Sequence, residues 1–185
     1  MQEPEEMRTR RLVLRALRRS DVDAFVALST AAETHPFDPH VRKTPDQALV
    51  AFDRFMTSWE PDGIGYWLVR LHGAEGVIGF GGLRPWVEDG EPVLNLAYRF
   101  WPQAWGQGYA REMAQAALDW ARRHRPDKPV LIVTDEDNGP ACGWPRGSGS
   151  TATWNGSAVA APKWSTDYRP RLTLGTESGT EGDHA

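Results

Sequence analysis

Hydrophobic and polar residues alternate along several short stretches of the chain, which predicts β-strands with one buried face. The first such stretch is residues 11–17, where apolar residues alternate with arginines and a valine. Three more follow at residues 66–71, 77–83 and 93–100, separated by glycine-containing turns. Short connections join antiparallel neighbours, so these three strands should pair in order. Three glycines in the 77–83 stretch indicate a bulge or a close approach by another group, or simply an ordinary curved strand.

Apolar residues at helical spacing predict three helices. The first begins after Ser20 as its N-cap, and the second begins after Thr44 and ends near residue 59. The third follows Pro102. Its apolar face consists of Ala110, Met113, Ala114, Ala117, Leu118 and Ala121. A short apolar strand at 129–134 comes next, and the intervening helix favours its parallel pairing with the strand at 93–100.

The composition is that of one domain with one hydrophobic core. The chain has 185 residues, of which 40% are hydrophobic and 25% charged. A net charge of −4 gives no field that attracts nucleic acid or an anionic membrane. No apolar run approaches the roughly 20 residues of a membrane-spanning helix, and the single Cys142 cannot form an internal disulfide. We therefore expect a cytoplasmic protein with no membrane or nucleic-acid partner. The alternative of nucleic-acid binding would use Arg8, Arg10, Arg11, Arg15, Arg18 and Arg19.

A glycine-rich segment joins the strand at 93–100 to the third helix. It consists of Gln103, Ala104, Trp105, Gly106, Gln107, Gly108, Tyr109 and Ala110. The glycines allow the backbone to approach a ligand closely, and consecutive main-chain N–H groups at a helix start can bind a diphosphate. The segment is not a Walker loop, because no Gly-Lys-Ser/Thr follows, and it lacks the third glycine of a Rossmann fingerprint.

This segment and its surroundings resemble the GNAT acetyltransferases. Q-x-x-G-x-G is the pyrophosphate-binding signature of that family, and residues 95–110, N-L-A-Y-R-F-W-P-Q-A-W-G-Q-G-Y-A, resemble the branch that includes the ribosomal-protein N-acetyltransferases. That branch tends to begin T-x-R-L-x-L-R, which residues 9–15 fit, and V-I-G-F-G-G-L at 77–83 looks like its third strand. The resemblance covers residues 8 to about 140.

The resemblance implies an α/β (α+β) fold of the acyl-CoA N-acyltransferase type. Its sheet would be mixed, mostly antiparallel, flanked by helices and splayed between the strands near 93–100 and 129–134. Acetyl-CoA would lie in the splay as a co-substrate, and no metal is expected.

The family's coenzyme contacts fall on matching positions of this chain. Main-chain groups of Tyr98, Arg99 and Phe100 would pair with the pantetheine arm, and one N–H near Tyr98 or Arg99 would stabilise the oxyanion. The amides of residues 103–110 would hold the pyrophosphate. Asn138 would reach the pantetheine or an ordered water, although a turn-forming role is an equal alternative.

The implied reaction is transfer of an acetyl group to a primary amine, either a protein N-terminus or a small molecule. The amine must lose a proton before it attacks. Many relatives carry a glutamate where this chain has Asn95, which can at most orient the amine or a water. Glu91 and His35 are alternative bases or solvated loop residues, so the base is left unassigned. His35 and Trp86, both predicted in loops, are candidates for contact with the acceptor.

The chain changes character near residue 141. From Cys142 onward neither a helical nor a strand period is present, whereas the family pattern calls for a helix ending R-L-G-F and two strands. If the gene is read in the alternative frame, with permitted codon choices, the stretch that encodes residues 141–151 can encode M-R-V-A-A-R-L-G-F-D. We therefore hypothesise a frameshift that begins between about Asn138 and Cys142. On this interpretation, residues 1–7 are a flexible terminus, 8–140 an incomplete acetyltransferase core and 141–185 a disordered tail. The damaged tail and Asn95 leave a catalytically inactive acyl-CoA-binding module as the alternative function; oligomeric state stays open.

Overall fold

The sheet has six strands, all antiparallel except the last pair. The structure is a computed structural model, which describes residues 6–36, 39–88 and 90–132 and the backbone of residues 151–154 and 157–160. The strands are β1 (Met7–Arg8), β2 (Leu12–Ala16), β3 (Tyr66–Leu71), β4 (Val77–Glu88), β5 (Glu91–Phe100) and β6 (Val130–Ile132). Their order in the sheet is β1-β2-β3-β4-β5-β6, and β5 pairs with β6 in parallel. The predicted mixed, mostly antiparallel sheet is confirmed.

Three helices cover the two faces of the sheet: α1 (Val22–Thr30), α2 (Pro45–Asp62) and α3 (Tyr109–His124). Side chains alternate along a strand, so Trp67 of β3 packs in the cluster with α3, while its neighbours Tyr66 and Leu68 pack with Phe25 of α1 and Phe52 of α2. The sheet therefore has an α3 face and an α1/α2 face, each with its own apolar cluster. No helix among the described residues has both the length and the hydrophobicity needed to cross a membrane.

The start of α1 differs from the prediction. Ser20 is not its N-cap, because residues 19–21 form a short 3-10 turn and the helix begins at Val22. Asp21 precedes the helix but makes no side-chain capping bond to it; its carboxylate accepts the Arg18 main-chain N–H at 2.7 Å, at the start of the 3-10 turn, and pairs with Arg15 at 2.8 Å. By contrast, Thr44 caps α2 as predicted, because its hydroxyl accepts the Gln47 N–H.

Two strand boundaries also differ from the prediction. Met7 pairs with Leu14 in β1, whereas the sequence predicted residue 7 in a flexible terminus. β4 continues to Glu88 rather than ending at Leu83, which places Trp86 in a strand and not in a loop. The sequence did not predict this extension, because a proline such as Pro85 is unusual inside a strand.

The glycines of β4 allow other groups to approach closely. A Cβ on Gly81 would lie 2.6 Å from Tyr98 Cβ and 2.7 Å from Met113 Cε, and one on Gly79 would lie 2.6 Å from a ring carbon of Phe100. The predicted close approach is thus confirmed, and the register of β3 with β4 also shifts near Val69. These contacts let α3 pack against the middle of the sheet.

A hairpin lies in the segment for which the sequence predicted no regular structure. β7 (Thr151–Trp154) pairs antiparallel with β8 (Ser157–Ala160), separately from the main sheet. The Asn-Gly pair between them in the sequence is the strongest short hairpin signal, and the prediction overlooked it. Asn138, Cys142 and the proposed frame change lie outside the described residues.

Replacing Gly81 by alanine should lower the free energy of unfolding by about 1–3 kcal/mol, because the new methyl group overlaps Tyr98 and α3. Gly76→Ala is the matched control, since a Cβ there meets nothing within 4 Å. Chemical denaturation of both variants measures the difference. Equal stability of the two variants would contradict the packing described.

Candidate active site

The main chain of β5 directs its hydrogen-bonding groups alternately to its two neighbours. Trp101 N–H donates to the Ile78 carbonyl on the β4 side at 3.0 Å, and Leu94 N–H donates to the Pro129 carbonyl on the β6 side at 2.9 Å. Because the direction alternates with each residue, the even-numbered residues of β5 face β6 and the odd-numbered ones face β4.

The pairing of β5 with β6 reaches Leu96 and Ile132. Beyond this point, the main-chain N–H groups of Tyr98 and Phe100 face the same side as β6. The Phe100 carbonyl accepts a hydrogen bond from Trp105 Nε1 at 3.0 Å. Of the three predicted pantetheine-binding residues, Arg99 differs, because its main-chain groups face Phe80 of β4.

The turn before α3 and the first residues of α3 form a row of main-chain N–H groups without partners among the described residues. Gly106 and Gly108 adopt left-handed conformations, with φ of 71° and 75°. The first helical hydrogen bond runs from Glu112 N–H to the Gly108 carbonyl at 3.0 Å. Among the described residues, the N–H groups of residues 106–111 have no acceptor. This arrangement, at the positive end of a helix dipole, suits a diphosphate.

The row of N–H groups is shifted relative to the predicted one. The N–H groups of Ala104 and Trp105 already donate to the carbonyls of Trp101 and Pro102. Arg111, which the sequence analysis did not include, adds a donor at the other end. The 3-10 turn at residues 102–104 accounts for the shift, because such a turn uses the N–H groups that close it.

A carboxylate joins the start of α3 to β2. Glu112 Oε1 accepts the Thr9 hydroxyl at 2.6 Å and the Arg11 main-chain N–H at 2.7 Å, while Oε2 accepts Arg11 Nε at 2.7 Å. Arg11 also donates to the Gln107 carbonyl at 2.9 Å and lies 4.6 Å from the centre of the Tyr109 ring. Burial opposes ionisation of Glu112, but the hydrogen bonds from Thr9 and Arg11 and the charge of Arg11 together hold its pKa below the usual 4.5.

Sequence reasoning missed the role of Glu112. The sequence places Thr9 and Arg11 in the T-x-R-L-x-L-R pattern, and Arg11 among the candidate nucleic-acid contacts, but indicates no shared partner for them. The fold shows why that pattern has a threonine and an arginine two residues apart: both bind one carboxylate of α3.

Asn95 lies on the α1/α2 face of β5 and is 5% exposed. Its Oδ1 is buried without a hydrogen-bond partner among the described residues. Across the strands it faces Arg84 of β4, whose Nε is also buried and unpartnered. The Arg84 guanidinium lies 4.4 Å from the centre of the Trp86 ring. Burial raises the pKa of the nearby Tyr66, and Arg84 only partly offsets that effect.

His35 is buried, so its prediction as a solvated loop residue is wrong. It is 3% exposed, and its Nδ1 lies 2.9 Å from both the Ala31 carbonyl and the Thr34 hydroxyl. The Arg99 side chain donates to the Thr34 carbonyl, so this turn is attached to β5.

Glu91 is exposed at the start of β5, next to Glu88 across the hairpin. Seven residues separate it from Tyr98, a span of about 23 Å in a strand. Glu91 therefore does not lie near the end of the β5–β6 pairing and does not suit the role of base there.

Four of the N-terminal arginines considered for nucleic-acid binding form ion pairs. Arg8 pairs with Glu6 and Arg19 with Asp53 at the surface. Arg11 pairs with Glu112 and Arg15 with Asp21 in more buried positions. Their charges are offset locally and are explained by the fold.

Comparison with known proteins identifies the class. A family model described as the acetyltransferase (GNAT) domain matches residues 11–146. The chain therefore belongs to the GNAT acetyltransferase family.

The chain is also similar to one curated relative and to several solved structures. YkkB of Bacillus subtilis (strain 168) is 28% identical over 76 residues, which span 41% of this chain and 44% of YkkB, less than half its length. A GnaT-family acetyltransferase of Bordetella pertussis superimposes with a TM-score of 0.65 at 21% identity, over 83% of this chain and 95% of its own. RimL, described as a ribosomal L7/L12 alpha-N-protein acetyltransferase in complex with coenzyme A, has a TM-score of 0.57 at 18% identity, over 74% and 80% of the two chains. At these identities the structures show a shared fold.

Glu112→Gln should destabilise the protein by about 1–3 kcal/mol at neutral pH, because Arg11 loses its charged partner. The pKa of Glu112 is lowered by folding, so its contribution is complete above pH 4.5 and is lost as the pH falls through the folded-state pKa. Thermal melts of both proteins across pH 3–7 should therefore converge at the acidic end.

Glu75→Gln, in an exposed turn, is the control and should show a much smaller difference. A stability difference for Glu112→Gln that stays constant down to the lowest pH would show that the ionised carboxylate is not the stabilising species.

Proposed function

We propose that this protein transfers the acetyl group of acetyl-CoA to a primary amine, on a small molecule or a protein N-terminus. One observation carries the proposal: the N–H groups of residues 106–111, which have no acceptor among the described residues, directly follow β5, and the N–H groups at the end of β5 alternate between its two sides. Membership of the GNAT family supports the same reaction.

The residues present fit the coenzyme. The N–H groups of residues 106–111 would hold its diphosphate, with the Arg11 guanidinium beside them. The N–H group of Phe100 would donate to its pantetheine arm, and the N–H group of Tyr98 would face the thioester. The Phe100 carbonyl already accepts one hydrogen bond from Trp105, which leaves one lone pair for that arm.

Acetyl-CoA supplies a thioester carbonyl carbon to which the amine nitrogen bonds as the carbon–sulfur bond breaks, and the nitrogen loses a proton while the sulfur leaves as a thiol. The Tyr98 N–H is the donor on β5 that would stabilise negative charge on the carbonyl oxygen. Asn95 Oδ1 would accept a hydrogen bond from the amine and thereby orient it. An amide is not a base, so the proton passes to water.

The comparisons support the reaction more strongly than the acceptor. RimL is described as acting on a ribosomal protein, but its 18% identity with this chain supports the fold alone. For this chain we therefore propose only the general acceptor, a primary amine that is neutral when it attacks the thioester. Asn138 belongs to this proposal as a contact of the pantetheine or of a water.

Calorimetry with coenzyme A and acetyl-CoA, combined with thiol release from acetyl-CoA over a panel of amines, tests the function. We expect binding of both forms and amine-dependent release. Binding without release on any amine would leave only a coenzyme-binding module, and absence of binding would remove the proposal altogether.

Gln107→Glu should weaken coenzyme A binding by about fivefold, because it adds a negative charge beside the N–H groups that would hold the diphosphate. Gln47→Glu is the matched control, since it makes the same charge change at the start of α2, where Gln47 Oε1 accepts the Thr44 N–H. Acetyl-pantetheine, which lacks the diphosphate, should bind both variants alike. Equal weakening by the two substitutions would argue against a diphosphate at this segment.

Asn95→Val should leave the stability unchanged or raise it by up to about 2 kcal/mol, because a buried oxygen without a partner is removed. The same variant should lose most of its amine acetylation while retaining coenzyme A affinity. Denaturation, calorimetry and thiol release measure the three quantities. Marked destabilisation would show instead that Asn95 has a structural role.

A further inference from the structure

Two buried polar atoms of opposite hydrogen-bonding character lie on adjacent strands of the α1/α2 face. Arg84 Nε is a donor and Asn95 Oδ1 is an acceptor, and neither has a partner among the described residues. Their residues face one another in the β4–β5 register, yet the two atoms do not bond to each other. Native proteins satisfy nearly all buried polar atoms, so a donor and an acceptor side by side suit a bound molecule that offers both an acceptor and a donor.

Arg84 is held in place without an anionic partner. Its guanidinium stacks on the indole of Trp86, and Trp86 Nε1 donates to Glu88 Oε2 at 3.0 Å, which fixes the ring. Within the described chain, Arg84 forms no ion pair, whereas Arg15, also mostly buried, pairs with Asp21. A positioned and partly buried guanidinium of this kind is suited to a carboxylate.

The pair Arg84 and Asn95 lies close along the strand to the proposed coenzyme contacts. Gly82 of β4 faces Ala97 of β5 in the next pair on the same face. Ala97 immediately precedes Tyr98, whose N–H faces the coenzyme side. A molecule bound between Arg84 and Asn95 would therefore lie three residues along β5 from the N–H group proposed to face the thioester.

We propose that the acceptor is an amino acid with a free α-carboxylate. Arg84 binds the carboxylate, and Asn95 Oδ1 accepts a hydrogen bond from the amine. The inference rests on the proposed function and specifies its acceptor. A polyamine would bring further positive charge to Arg84. A protein N-terminus carries a peptide bond, and not a carboxylate, beside its amine. Both acceptors would therefore leave Arg84 Nε unsatisfied.

The test compares standard L-amino acids with their C-terminal amides, which keep the amine and the side chain but lack the carboxylate. Calorimetry in the presence of coenzyme A measures binding without turnover, and thiol release from acetyl-CoA measures kcat/KM. The proteins are the wild type, Arg84→Gln, Arg84→Lys and Arg54→Gln. Arg54 is exposed on α2, so the last variant controls for loss of a positive charge.

At least one amino acid should bind the wild type and Arg54→Gln about tenfold or more tightly than its amide, the range expected for a buried charged hydrogen bond. Arg84→Gln should lose this preference through KM rather than kcat, and Arg84→Lys should restore only part of it. Binding with this preference but without thiol release would support a carboxylate site at Arg84 while removing the proposed function, and with it the role of the amino acid as acceptor.

Three outcomes would overturn the inference: acids and amides bind equally, the preference survives in Arg84→Gln, or no acid binds at all. Acetylation of amines without any carboxylate preference would keep the proposed function and remove the inference. Circular dichroism of Arg84→Gln checks that the fold is retained. If that variant is unfolded, the wild-type ratio of acid to amide decides alone.

Discussion

The contact between Glu112 and Arg11 determines where the first turn of α3 lies. It joins residues 101 positions apart and fixes the helix start against β2, while Arg11 also holds the carbonyl of Gln107. The carboxylate lies near the helix N-terminus, where the dipole favours a negative charge. The N–H groups of residues 106–111 in the same stretch have no acceptor among the described residues. The proposed diphosphate site therefore depends on an ion pair whose carboxylate lies away from the ligand and whose guanidinium lies beside it.

The features that could be predicted from the sequence are those encoded locally. Alternation predicted the central strands, and two glycines before an apolar helix predicted the turn at Gly106 and Gly108, since both signals lie within a few neighbouring residues. Glu112 was missed because its partners are distant in the chain, and no local period marks such a contact. Asn95 was found only through resemblance; its burial opposite Arg84 required the strand register. Trp86 was misplaced because Pro85 obscured the length of β4.

β5 serves both proposed reactants with different parts of its structure. Its edge directs the N–H groups of Tyr98 and Phe100 to the coenzyme side, while its α1/α2 face carries Asn95 and Ala97 toward the proposed acceptor. A strand permits this division because main-chain groups and side chains point in perpendicular directions. The unpartnered atoms of Asn95 and Arg84 would lower the stability of the protein without ligand. Such a cost is expected where a site is formed before its substrate arrives.

Trp105 closes a short ring with the strand it follows, because its indole donates to the carbonyl of Phe100, five residues earlier. Trp105 itself is 40% exposed, so burial alone does not hold its indole in position. With this bond in place, the turn leading to Gly106 is already ordered in the protein alone. A ligand bound there would lose little affinity to restricting the motion of the chain, so preorganisation would let a few main-chain contacts suffice for tight association.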